Sequence, residues 1–166
     1  VRRFGFIKLF NFTNLKKIVF IQKLGLEPFD KSLNIKYFNI FIKNKEKNIK
    51  NLLMDQTFIS GLGNIYVNEV LFVCKIHPLR SCNKLQEKEK LLLIKNIRKI
   101  LQASISKGGS SIKDFNNTQG KIGNFQQFFK VYGRDGKKCS RISCKGKIKK
   151  ISMSNRSSFY CNICQI

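Results

Sequence analysis

Four cysteines are spaced Cys139-x4-Cys144-x16-Cys161-x2-Cys164. Two close thiol pairs, each on its own turn, supply the four soft ligands of a tetrahedral zinc site, and a pair separated by four residues lies within ordinary ligand spacing. Two disulfides or free thiols are the alternative, which a reducing compartment disfavours. A second stretch with chemical potential is Gly61-Leu62-Gly63-Asn64. Glycines flanking one residue permit a tight turn with positive φ, and Asn64 stands at the position of an N-cap. A helix N-terminus has unpaired amides and a partial positive charge, so a turn this bare lets a phosphate approach the backbone. A plain helix–turn–helix packed for stability fits the same residues.

The elements that must hold these groups are legible as periodicities. After the glycine turn, Val67, Val70, Leu71 and Cys74 form the stripe of one buried helix face, which His77-Pro78 ends. Leu53 lies in the apolar run before the turn. From Asp30 as N-cap, Leu33, Tyr37, Ile40 and Phe41 give another helical stripe. A long helix is expected from about Leu85 to Ser106, with Leu93, Ile97, Ile100, Leu101 and Ile105 on its core face and Gly108-Gly109 as its stop. Lys43 to Lys50 reads as a solvated, charged connection. Ile148, Ile151, Phe159 and Tyr160 suit two short strands between the cysteine pairs, where bound metal would supply much of the folding energy. Arg3 to Leu9 reads as a strand, and a lone strand cannot pair its own backbone. Cys74 is expected in the core and Cys82 in a loop. The fold class is therefore mainly α with a small β zinc finger.

The totals narrow the partner. The chain has 166 residues, 42% of them apolar, with 33 Lys plus Arg against 9 Asp plus Glu and a formal net charge of +24. Such an excess matches a polyanion, nucleic acid before membrane. No apolar run approaches a bilayer span and no signal peptide opens the chain, so a cytoplasmic location and no membrane partner are expected.

The string LMDQ…SGLGNIY…NE…LF…IHP…R, from Leu53 to Arg80, closely resembles the helix–two-turns–helix element of bacterial formamidopyrimidine-DNA glycosylases and their endonuclease-eight-like relatives. The likeness runs over nearly the whole chain. RRFG near the start resembles the end of the family's N-terminal β-sandwich, and Lys23 to Phe29 the interdomain hinge. TQGKIGNF stands where relatives often carry GKPGYF, and Asn155-Arg156-Ser157-Ser158 resembles the family's zinc-finger turn. The family's first cysteine pair is usually Cys-x2-Cys, so the two extra residues here are a departure.

The resemblance implies a domain order: 1–22, the C-terminal remnant of the β-sandwich; 23–29, linker; 30–115, helix–two-turns–helix; 116–130, lesion-capping loop; 131–166, a four-cysteine zinc finger. It implies roles as well. Arg2 would face the base opposite a lesion and Phe4 would wedge into the stack. Asn64 and Arg156 would clamp the DNA backbone. Gly120, Lys121, Gly123 and Phe125 would belong to the loop that folds over an extruded oxidised purine. Cys139, Cys144, Cys161 and Cys164 would hold one structural zinc ion. Double-stranded DNA with damaged bases is the implied partner, a monomer the implied state, and the bacterial nucleoid the implied setting.

The family's chemistry, base release followed by β,δ-elimination, begins at an N-terminal proline amine assisted by a glutamate and a lysine. This sequence opens Val1-Arg2-Arg3. The expectation is the DNA-binding portion of a base-excision repair enzyme that binds DNA without cutting it. A stand-alone zinc-dependent DNA-binding protein and a basic zinc-ribbon protein of RNA are the competing readings. RNA binding calls for exposed stacking aromatics, which the sequence does not array.

Overall fold

The computed structural model describes residues 19–110 and 123–166. The strand read over 3–9 lies outside that range, and Val19–Gln22 form a single helical turn, α1. The remaining elements are α2 (Ile35–Ile42), α3 (Ile49–Leu53), α4 (Asn64–Val73), α5 (Glu87–Ser106), β1 (Ile148–Met153) and β2 (Arg156–Cys161), with short 3-10 turns at Cys82–Lys84 and Phe125–Phe128.

α2 starts later than the Asp30 cap predicts. Asp30 closes a local turn instead, its carboxylate accepting from the Ser32 amide at 2.7 Å. Asn34 is the cap, accepting from the Tyr37 amide at 3.1 Å. Of the expected stripe, Leu33 is buried and Tyr37 and Phe41 pack against the core, joined by buried Phe38 and Ile42, while Ile40 is 75% exposed. Phe58 is the contact that Tyr37, Phe38 and Phe41 share, with the Phe41 ring 4.6 Å away. Phe38 meets its ring edge-on at 5.0 Å, Tyr37 stacks on it at 5.7 Å, and the Tyr37 hydroxyl donates to its carbonyl.

α5 opens on a capping box between Gln86 and Glu89, and Arg80 forks onto the Glu89 carboxylate at 2.6 and 2.9 Å. Leu93 and Ile97 are buried as expected and Ile100 and Leu101 pack against the core, but Ile105 is exposed while its neighbour Ser104 is buried and bonded to Tyr66. Gly108 and Gly109 end it with φ of +74° and +83°. Cys74 is buried. Cys82 is buried too, inside a 3-10 turn rather than in an open loop.

α4 organises the molecule. Val67, Val70 and Leu71 enter the helical core with Leu52, Phe58, Leu93 and Ile97. On its other side Phe72 enters a second core made with Val131, Ile148, Phe159, Cys139 and Cys161. A helix apolar on both sides is the shared wall of two packed layers. β1 and β2 pair antiparallel from Ile148↔Cys161 to Met153↔Arg156. Their loop is Ser154-Asn155, with φ of +48° and +58°, the conformation of a two-residue type I′ turn.

Candidate nucleic-acid interface and metal centre

The glycine turn is set by groups with no obvious periodicity. Gly61 has φ +77°, and its amide donates to the Gln56 side chain at 2.8 Å. Gln56 in turn donates to the Leu62 carbonyl. Gly63 is extended, at φ −102°, and it rather than Asn64 is the N-cap of α4. A glycine cap has no side chain to offer, so no side-chain bond closes this helix end. Asn64 is thereby the first helical residue, and its side chain is released to reach elsewhere.

It reaches the hairpin. Asn64 Nδ2 donates to the Ser157 carbonyl at 3.1 Å, beside Arg156. Lys50 Nζ donates to the same carbonyl at 3.2 Å and makes a short contact with Ser158 Oγ. The charged run in the sequence places Lys50 in a solvated connection. It instead lies in α3, capped by Asn48, and is 1% exposed. Burial above all, with the nearby Arg156 guanidinium, lowers its ammonium to about 8. The two ion pairs among the described residues, Lys47–Asp55 and Arg80–Glu89, leave Lys50 without a carboxylate. A buried cation, an exposed arginine and a bare helix start thus meet at one corner.

Free-edge groups of β2 are paired by side-chain amides in place of a third strand. Asn68 Oδ1 accepts from the Phe159 amide at 2.7 Å, and Gln165 Oε1 accepts from the Cys161 amide at 2.8 Å. Gln165 also donates to the Ile76 carbonyl at 2.8 Å. Next to Asn68, the buried Glu69 carboxylate accepts from the amides of Lys130, Val131 and Tyr132 at 2.9 to 3.0 Å. At the far end of α4, Arg141 donates to the carbonyls of Phe72 and Val73 at 2.8 and 3.0 Å and lies over the Phe72 ring. A cation on the last carbonyls of a helix complements its dipole. Arg141 comes from the lengthened Cys139–Cys144 turn. Sequence reasoning singles out none of Lys50, Asn68, Glu69 and Gln165. The available signal is a polar residue on an otherwise apolar face.

The four expected metal ligands converge. Their sulfurs all lie within 4.8 Å of one another, with Cys139–Cys164 at 3.8 Å and Cys144–Cys161 at 3.6 Å. A tetrahedron with Zn–S bonds of about 2.3 Å has edges of roughly 3.8 Å, so the donor set fits zinc. None of the thiols is in a disulfide. Burial and neighbouring thiols push Cys164 up. At Cys161 burial also raises, but the amides of Cys164 and Ile163 and nearby thiols outweigh it and draw the thiol down. Gly146 lets the strand pass, since a Cβ there would stand 2.6 Å from Cys161 Sγ. Bound zinc would tie both cysteine turns into one unit.

Of the loop residues, Gly120 and Lys121 lie outside the described range, as do Arg2 and Phe4. Gly123 and Phe125 sit at the neck of the segment, where Ser110 bridges Asn124 and the Phe125 amide donates to the Gly109 carbonyl at 3.0 Å. A side chain on Gly123 would collide with the backbone of Gly108 and Gly109. Phe125 is buried against Tyr66 and Phe129.

Known proteins share this fold. The family profile described as the formamidopyrimidine-DNA glycosylase H2TH domain matches residues 24–116, and that of a zinc finger found in FPG and IleRS matches 136–166. Formamidopyrimidine-DNA glycosylases of Rickettsia conorii and Roseobacter denitrificans are 45% and 42% identical, over 99% of this chain and 59% and 58% of their own lengths. The chain thus spans less than two thirds of those relatives. A crystal structure of a Lactococcus lactis FPG mutant with Fapy-dG-containing DNA matches with a TM-score of 0.84 at 38% identity, covering 93% of this chain and 56% of that one. The Lactococcus lactis Fpg complex with abasic-site DNA gives 0.83 at 39%, with the same coverage. MutM (FPG) from Thermus thermophilus gives 0.82 at 31%, covering 90% and 56%. Among the described residues, no helix is long and apolar enough to cross a membrane.

Proposed function

The chain belongs to the formamidopyrimidine-DNA glycosylase family, and from that premise we propose that it grips damaged duplex DNA for base-excision repair at the nucleoid. The reaction served is release of an oxidised purine followed by strand cleavage at the abasic sugar. Its nucleophile lies outside the corner described here, which holds groups suited to binding an anion.

One observation carries this reading. Lys50 is buried without a carboxylate partner beside Arg156, and both stand next to an uncapped helix start. Uncompensated buried charge is costly, and an approaching phosphate relieves that cost. Arg156 can donate two hydrogen bonds to one phosphate, while Asn64 keeps a second N–H beyond the one spent on Ser157. Zinc pins the hairpin that presents Arg156. Roles in the stacked duplex for Arg2 and Phe4, and over the lesion for Gly120 and Lys121, are part of the same proposal by motif likeness.

The test is binding of this chain to an abasic-site duplex across a salt series. Each phosphate neutralised releases counterions, so affinity should fall steeply as salt rises. A flat response would remove DNA as the partner.

A further inference from the structure

Asn68 occupies α4 one turn below Asn64 and is 1% exposed. Its Nδ2 donates to the Asn64 carbonyl at 2.6 Å and lies 3.4 Å from Asn64 Oδ1. Its Oδ1 accepts from the Phe159 amide at 2.7 Å. Asn64 closes the circuit by donating to the Ser157 carbonyl. Two amides on successive helical turns therefore hold β2 at alternate residues, 157 and 159, immediately after Arg156. α4 and the hairpin tip are far apart in the chain, and this circuit, beside the Lys50 bonds to Ser157 and Ser158, holds them together.

We infer that Asn68 is the positioning residue of the phosphate clamp, setting the spacing of its two corners without touching DNA. The inference rests on the DNA-binding reading above. Only a side chain with both a donor and an acceptor closes the circuit. Leucine matches the volume and supplies neither. A buried amide that merely stabilised the fold would cost melting temperature alone. Asn96 provides that comparison: it is also buried, donates to the Leu92 carbonyl and the Cys74 sulfur, and has no bond to the hairpin.

The experiment compares Asn68→Leu with Asn96→Leu in the full 166-residue chain loaded with zinc. The first arm needs no DNA. The Asn64 side-chain amide should exchange slowly with solvent in the parent chain and in Asn96→Leu, and quickly in Asn68→Leu. Unchanged exchange in Asn68→Leu overturns the inference. The second arm measures affinity for an abasic-site duplex. Asn68→Leu should bind about tenfold more weakly, because a displaced Asn64 loses its hydrogen bond to a phosphate. Asn64→Ala, itself weakening the parent chain, should add less than about twofold on the Asn68→Leu background. Full additivity, or equal losses in Asn96→Leu, would reduce Asn68 to a stabilising residue. Failure of the parent chain to bind the duplex overturns the functional reading instead, and the exchange arm alone then decides the role of Asn68.

Discussion

Asn64 Nδ2 lies 3.1 Å from the carbonyl oxygen of Ser157, across 93 positions of sequence. That bond brings the start of α4 against the strand that begins at Arg156. With Gly63 as the cap, the Asn64 side chain is not spent on its own helix end and reaches the hairpin.

Arg156 is exposed and follows a type I′ turn, so its removal should leave the fold intact. Arg156→Ala should weaken binding to a lesion-containing duplex by about 1–3 kcal/mol and lower the salt slope by about one phosphate. Fluorescence anisotropy across a salt series reads both. Unchanged affinity would take Arg156 out of the clamp.

Lys50 gives the interface a pH signature. Its ammonium sits at about 8, below the ordinary 10.5, so the folded chain gives up this proton before the unfolded chain does. Between those values the unfolded state binds more protons, and stability rises with pH. The burden of the buried charge is complete below about pH 8 and gone above about 10.5. Attraction for phosphate runs the other way and should decline between about pH 7 and 9 at fixed ionic strength. Lys50→Met should flatten that decline, and an identical slope in the variant would refute the assignment.

Removing the metal should act locally first. A strong chelator is expected to melt residues 131–166, because the four converging thiols close the interior of that small core. The helical core with Leu52, Phe58 and Leu93 should keep its circular dichroism. Amide exchange read residue by residue separates the two, and DNA binding should vanish with the hairpin. Retained hairpin protection after metal loss would count against a structural role for zinc.

Gly123→Ala should lower stability by about 1–3 kcal/mol, since the new methyl would meet the backbone of Gly108 and Gly109 and neither can yield as a side chain would. Thermal melting measures it. At Gly133, with open space but a φ of +68°, the same change should cost only the strain of a left-handed residue, roughly 1 kcal/mol.

Much of this structure is readable from local rules. The cysteine spacing leads to the converging thiols, the apolar stripe to the buried face of α4, and the paired glycines to the end of α5. Residues whose roles depend on distant partners are not readable that way. Lys50 looks like one more cation in a basic run until β2 is laid across it. Asn64 reads as a cap because local preference favours asparagine there, and a tertiary bond overrides that preference. Of the stripe counted from Asp30, Leu33, Tyr37 and Phe41 do face the core, whereas Ile40 points to solvent and Phe38 takes the buried place.

The two matched profiles end and begin at residues 116 and 136, which invites treating the chain as two exchangeable parts. Glu69 says otherwise. Its carboxylate, inside the first part, accepts from the amides of Lys130, Val131 and Tyr132. A chimera joined at residue 116, and so lacking residues 130–132, would inherit an orphaned anion unless the incoming segment brought three matching N–H groups.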